Sequence, residues 1–213
     1  FCPPPSDRKQ QSREGFFRCL FYGSFLPLHG MDVILKAAAL LREEPVHFEI
    51  IGGKGKALRN FQILGRQLGI KKLSHECWVD YERLPERIAD ADLCLAGPFG
   101  GTGQAKRIIT GKAFQCLAMG KPVVIGEITA DEGMQNRVNC LIVKQGNAKE
   151  LAEAIRWGLH NQEALAAIGR RGRDLYEDRF SLPRIRDELR ESLRCLFPDA
   201  IHRASPIFKR EGI

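Results

Sequence analysis

An α/β fold built on a doubly wound parallel sheet of about six strands is predicted by three features of the sequence. Short apolar runs alternate with segments whose apolar residues repeat at helical spacing, the joins are short, and glycines close several of the strands. Right-handed crossovers then give a Rossmann-like domain whose ligands bind beyond the carboxyl ends of the strands. The expected division is a linker over 1–15, the domain over 16–181, and a C-terminal helix and tail over 182–213.

The elements follow in order. Residues 18–22 form a buried strand closed by Gly23, and Met31, Ile34, Leu35, Ala38 and Leu41 mark a helix after Gly30. The second strand, 46–51, ends at Gly52-Gly53, and Leu58, Phe61, Leu64 and Leu68 mark a helix stopped by Gly69. A third strand is expected over 76–79, then a short helix near Leu84, Ile88 and Ala91, then a fourth strand over 93–96. After a glycine loop, Thr110 is the expected N-cap of a helix with Ala113, Phe114, Leu117 and Ala118 on its apolar face, ended by Gly120 and Pro122. Two more strands, 123–125 and 141–143, lead to a helix opened by Asn147 with Glu150 three residues on. Asn161 opens another helix, and Ile185, Leu189 and Leu193 mark the last.

Composition narrows the partners. Of 213 residues, 44% are hydrophobic and 28% charged, the balance of a globular domain. No apolar run reaches the roughly 18–20 residues that span a bilayer. The opening Phe1-Cys2-Pro3-Pro4-Pro5-Ser6-Asp7 has neither a signal-peptide nor an initiator pattern, so it is expected to continue from something upstream. Seven cysteines without a C-x-x-C pair suggest free, buried thiols. The five histidines lack metal-ligand spacing, and no metal or cofactor is expected. The net charge of +7 admits an anionic ligand or an anionic membrane surface; no RNA-binding or zinc-finger motif points to nucleic acid.

The chemistry concentrates in residues 99–124. Phe99, Gly100 and Thr102 belong to a glycine loop; Lys106, Arg107, Ile108 and Ile109 lead into the helix opened by Thr110, Gly111 and Lys112. Exposed backbone N–H groups and fixed positive charge at a helix start suit a diphosphate. Gly53-Lys54-Gly55-Lys56-Ala57-Leu58 begins like a dinucleotide fingerprint, but Leu58 replaces its third glycine. No Walker P-loop occurs, and no serine or cysteine nucleophile has an ordered histidine partner.

These residues carry a family resemblance. Gly23-Ser24-Phe25-Leu26-Pro27-Leu28-His29-Gly30 resembles the G-R-x-x-P-x-K-G turn of the nucleotide-sugar domain of GT-B glycosyltransferases. Residues 97–124 and 139–152 resemble that domain's later segments, and the likeness runs unbroken over 18–181. It points to the C-terminal half of a group-1, family-4-like enzyme (GT4). The resemblance implies a nucleotide-diphospho-sugar donor, a saccharide or lipid-linked acceptor in polysaccharide biosynthesis, retention at the anomeric carbon and no metal. It also implies an acceptor domain absent from this chain, without which the fragment is expected to be inactive. The expected compartment is the cytoplasm, with the inner face of the cell membrane as an option.

The sequence departs from the family at charged positions. Where the family carries two glutamates before its glycine-proline strand, Arg107 and Gln115 stand; where it carries arginine and lysine, Ser24 and His29 stand. Gln115 keeps the ability to hold ribose hydroxyls, while Lys106, Arg107 and Lys112 are expected to return the lost charge. Arg107 and Lys112 are thus the expected catalytic groups, stabilising the departing diphosphate. Gly52, Gly53, Tyr81 and Leu84 are expected around the base. The alternatives are a GT-B epimerase, or a non-catalytic module binding anions or membrane through the last helix, where Arg184, Arg186, Arg190 and Arg194 flank the apolar stripe.

Overall fold

The computed structural model describes residues 1, 15–129 and 132–197. Six strands, β1 (Phe17–Tyr22), β2 (Val46–Ile51), β3 (Leu73–Glu76), β4 (Leu93–Leu95), β5 (Val123–Gly126) and β6 (Leu141–Val143), form one sheet. Its order is β3-β2-β1-β4-β5-β6, and every adjacent pair is parallel. The helices are α1 (Met31–Leu40), α2 (Gly55–Gln67), α3 (Leu84–Asp90), α4 (Gly111–Ala118), α5 (Ala148–His160), α6 (Gln162–Arg179) and α7 (Leu182–Leu196).

Period-two alternation in β1 splits the core. Cys19 and Phe21 join Ile34, Leu35, Phe48 and Ile155 on one face, whereas Leu20 and Tyr22 join Ile88, Cys116, Leu117 and Val123 on the other. The chain leaves β1 towards β2 in one direction and returns to β4 on the other side, so the topological switch point lies between β1 and β4.

Local signals act largely as expected. Asn147 Oδ1 accepts from the Glu150 N–H at 3.1 Å, and Asn147 Nδ2 donates to Glu150 Oε1 at 2.8 Å, fixing the start of α5. The third strand differs: β3 lies over Leu73–Glu76, not 76–79. It is an edge strand paired only to β2, and the apolar run Cys77-Trp78-Val79 lines a cavity instead. Cys19, Cys94, Cys116 and Cys140 are free and buried, but Cys77 and Cys195 are exposed, so burial holds for only part of the cysteine set. Cys2, nearly all of the expected linker and the tail from 198 lie outside the described residues. α7 buries none of its residues. Among the described residues no helix is long and apolar enough to cross a membrane.

Candidate functional site

The loops following β1 and β4 meet at the switch point backbone to backbone. The Gly100 N–H donates to the Leu28 carbonyl at 2.9 Å, and a Cβ on Gly100 would lie 2.1 Å from the Pro27 oxygen. A Cβ on Gly30 would lie 2.6 Å from the Gly100 nitrogen. These two residues are therefore glycine because the loops press on each other, whatever ligand follows. Phe99 departs from the expectation of ligand contact: its side chain is fully buried in the core and anchors the loop from below.

Lys112 is the unusual charge. It lies in the first turn of α4 and is only 8% exposed. Its Nζ is 4.8 Å from the centroid of the Phe21 ring and 3.5 Å from where a Cβ on Gly23 would stand. No ion pair or hydrogen bond reaches this ammonium among the described residues, and its Nζ is not sealed from solvent. Burial lowers its pKa to about 8.

His29 lies beside it, also 8% exposed, with its ring edge-on to Phe21. Its Nδ1 pairs with the Ser24 carbonyl, which can only accept, so Nδ1 carries the proton. Burial, and then the nearby Lys112 charge, hold the imidazole below its usual pKa. Thus Gly23, Ser24, His29 and Lys112 converge, and the charge that the β1 loop lacks is delivered from α4.

Thr110 stands at the N-cap of α4 with extended backbone, but its hydroxyl does not cap the helix. It donates to the Ala96 carbonyl at 2.8 Å, tying α4 to the end of β4. The N–H groups of Gly111 and Lys112 have no acceptor among the described residues, while Ala113 N–H reaches the Thr110 carbonyl. Nothing lies within 4 Å of a Cβ on Gly111, so an anion has room there.

Beside this pair lies a cavity of about 390 Å³, which brings together Gly23, Ser24, Gly52, Gly53, Tyr81 and Leu84. Its floor is shaped by the approach of β1 and β2, since a Cβ on Gly52 would lie 2.2 Å from the Gly23 oxygen. Tyr22, Lys54, Cys77 and Trp78 also line it, none of them anticipated from the sequence. For Trp78 the signal in the sequence is the apolar run Cys77-Trp78-Val79, which predicts strand rather than cavity wall. The Tyr22 hydroxyl donates to Gln115 Oε1 at 2.9 Å, which connects Gln115 to the cavity wall.

The remaining expected residues lie on an outer loop. Thr102 Oγ1 accepts from the Ala105 N–H at 3.2 Å, opening a 3-10 turn over Ala105–Arg107. Lys106 and Arg107 are exposed on that turn, Ile108 and Ile109 are partly buried, and none of these lines the cavity. Of the three cations expected to return charge, Lys112 alone is buried against the β1 loop.

A sequence model described as "Glycosyl transferases group 1" matches residues 17–161. The chain belongs to this family. The glycosyl transferase domain is similar in fold to Anabaena HepE, solved in complex with UDP and glucose, at 18% identity and a TM-score of 0.73, covering 84% of this chain and 48% of that one. It is similar to sucrose-phosphate synthase from Thermosynechococcus elongatus at 20% identity and a TM-score of 0.75, over 93% and 50% of the two chains. The C-terminal domain of a group 1 family glycosyl transferase from Francisella tularensis matches at 14% identity and a TM-score of 0.69, over 85% and 96%. The chain therefore spans about half the length of HepE and of the synthase, and its fold is that of a Rossmann-like GT-B domain. No curated protein sequence is similar enough to this chain to count as a match.

Proposed function

We propose that this domain binds the nucleotide-diphospho-sugar donor of a retaining, metal-independent glycosyltransferase that glycosylates a saccharide or lipid-linked acceptor. The observation that carries this reading is Lys112, a lysine only 8% exposed whose Nζ has no carboxylate partner among the described residues, beside uncapped amides and a cavity of about 390 Å³. A buried charge without a partner is costly, and a diphosphate supplies the partner. The base and ribose would occupy the cavity against Tyr81 and Leu84, with the diphosphate between Gly23 and the start of α4. That HepE was solved with UDP supports uridine as the first base to try.

The chemistry follows from the leaving group. Cleaving the anomeric C–O bond moves negative charge onto the diphosphate, and Lys112 with the Gly111 and Lys112 amides stabilises that charge as it grows. Arg107, exposed on the outer 3-10 turn before α4, would add a guanidinium suited to bidentate phosphate contact. These groups supply the charge that a divalent cation would otherwise bring. A second domain carries the acceptor, so this chain alone binds donor without transferring sugar, and the compartment is the cytoplasm or the inner face of its membrane.

Calorimetry with UDP, GDP and ADP against the matching nucleosides tests the reading. Diphosphates are expected to bind, with Arg107→Ala weakening the diphosphate and sparing the nucleoside. Failure of all three diphosphates contradicts it.

A further inference from the structure

Residues 50–75 carry Lys54, Lys56, Arg59, Arg66, Lys71 and Lys72 and no acid. Helical spacing gathers part of this charge. Lys56, Arg59, Ile63 and Arg66 stand at i, i+3, i+7 and i+10 of α2, forming one stripe along the helix. The opposite side holds Leu58, Phe61 and Leu64 against the core, so the stripe faces solvent with Ile63 53% exposed at its middle. None of its three cations has an ion pair among the described residues. Asp32 of the neighbouring α1 lines a groove with Lys56, but it is paired to Lys36 at 2.9 Å. The last helix differs. On α7, Arg184 pairs with Glu188, and Arg186 and Arg190 both pair with Asp187, so that charge is largely neutralised within the helix.

We propose that this stripe of α2 docks on an anionic lipid bilayer, with its cations on headgroup phosphates and Ile63 entering the interface. An aliphatic side chain ringed by cations, none countered by an acid, fits the boundary between headgroups and acyl chains. The stripe carries no aromatic ring on which a nucleic-acid base could stack. α2 starts beside Lys54, which lines the cavity, so docking holds the mouth of the cavity near the bilayer. The stripe itself lies outside the nucleotide site, and lipid binding is read without nucleotide, so the inference stands independently of that reading.

Sedimentation of the chain with vesicles tests this, comparing phosphatidylcholine containing about 30% phosphatidylglycerol with phosphatidylcholine alone. Wild type is expected to bind only the anionic vesicles, and less tightly as salt rises. Each interfacial cation contributes about fivefold, so the triple variant Lys56→Gln, Arg59→Gln, Arg66→Gln should bind about 100-fold more weakly. The matching loss of charge on α7, Arg184→Gln, Arg186→Gln, Arg190→Gln, should change affinity by less than about threefold. Ile63→Ser leaves the charge intact and should weaken binding about fivefold. Every substituted side chain is exposed, so the fold should persist, which thermal denaturation checks. UDP affinity of the α2 variant should equal that of wild type, which keeps a failure of docking distinct from a failure of the nucleotide reading. Absence of binding to the anionic vesicles overturns the inference. Equal losses in the two triple variants also overturn it, because they assign the attraction to net charge. Duplex RNA bound as tightly as the vesicles, with Ile63→Ser harmless to both, overturns it in favour of a polyanion.

Discussion

Lys112 Nζ stands 3.5 Å from the point where Gly23 would carry a side chain, so the end of β1 and the start of α4 share one pocket of positive charge. A cation placed there without a counter-ion is a structural cost in the free domain.

That cost predicts a trade. Lys112→Met removes the buried charge and is expected to stabilise the free domain by about 1–3 kcal/mol, since its pKa falls from 10.5 to about 8 on folding. Thermal denaturation at pH 7 should show a rise of several degrees in Tm. The same variant should bind UDP about 10- to 100-fold more weakly, which calorimetry reads directly.

A pH dependence follows with a definite sign. Lys112 is charged in the free domain below about pH 8 and neutral above it, whereas the unfolded chain keeps the proton to about 10.5. Between those values its contribution to stability rises with pH, because the unfolded state binds more protons. Diphosphate binding needs the charged form and runs the opposite way. UDP affinity should fall about tenfold from pH 7 to 9, and Lys112→Met should flatten this slope.

The two kinds of glycine separate by substitution. Gly100→Ala puts a methyl 2.1 Å from the Pro27 oxygen and is expected to cost about 2–4 kcal/mol, measured by denaturant unfolding. Gly111→Ala meets nothing within 4 Å, so the fold should be unharmed while a diphosphate loses room. The expected outcome is unchanged or slightly raised Tm with weaker UDP binding.

Trp78 provides an optical reading of the cavity. It is 76% exposed and lines the site, whereas Trp157, the other tryptophan of the chain, packs against Arg137 and the core. Saturating UDP should quench intrinsic fluorescence in Trp157→Phe as in wild type, and the change should vanish in Trp78→Phe.

Much of the fold was legible because it is written in local chemistry. The Asn147–Glu150 cap and the Gly120-Lys121-Pro122 stop each act within a few residues. The site was legible as a region and less so in its parts. Lys106, Arg107 and Lys112 are equal as charges in a sequence, and only burial distinguishes them. Thr110 has the chemistry of a cap, but the nearby Ala96 carbonyl competes for its hydroxyl and wins. Phe99 in a glycine loop looks like a ligand contact until the packing beneath the loop claims it. The Tyr22–Gln115 bond joins residues whose proximity no local pattern encodes.

The most direct measurement is a crystal structure of the domain soaked with UDP. The account predicts diphosphate density between Gly23 and the amides of Gly111 and Lys112, with Lys112 Nζ in hydrogen-bond contact and the uracil beside Tyr81. Diphosphate density elsewhere, with Lys112 still unpaired against Phe21, would contradict it.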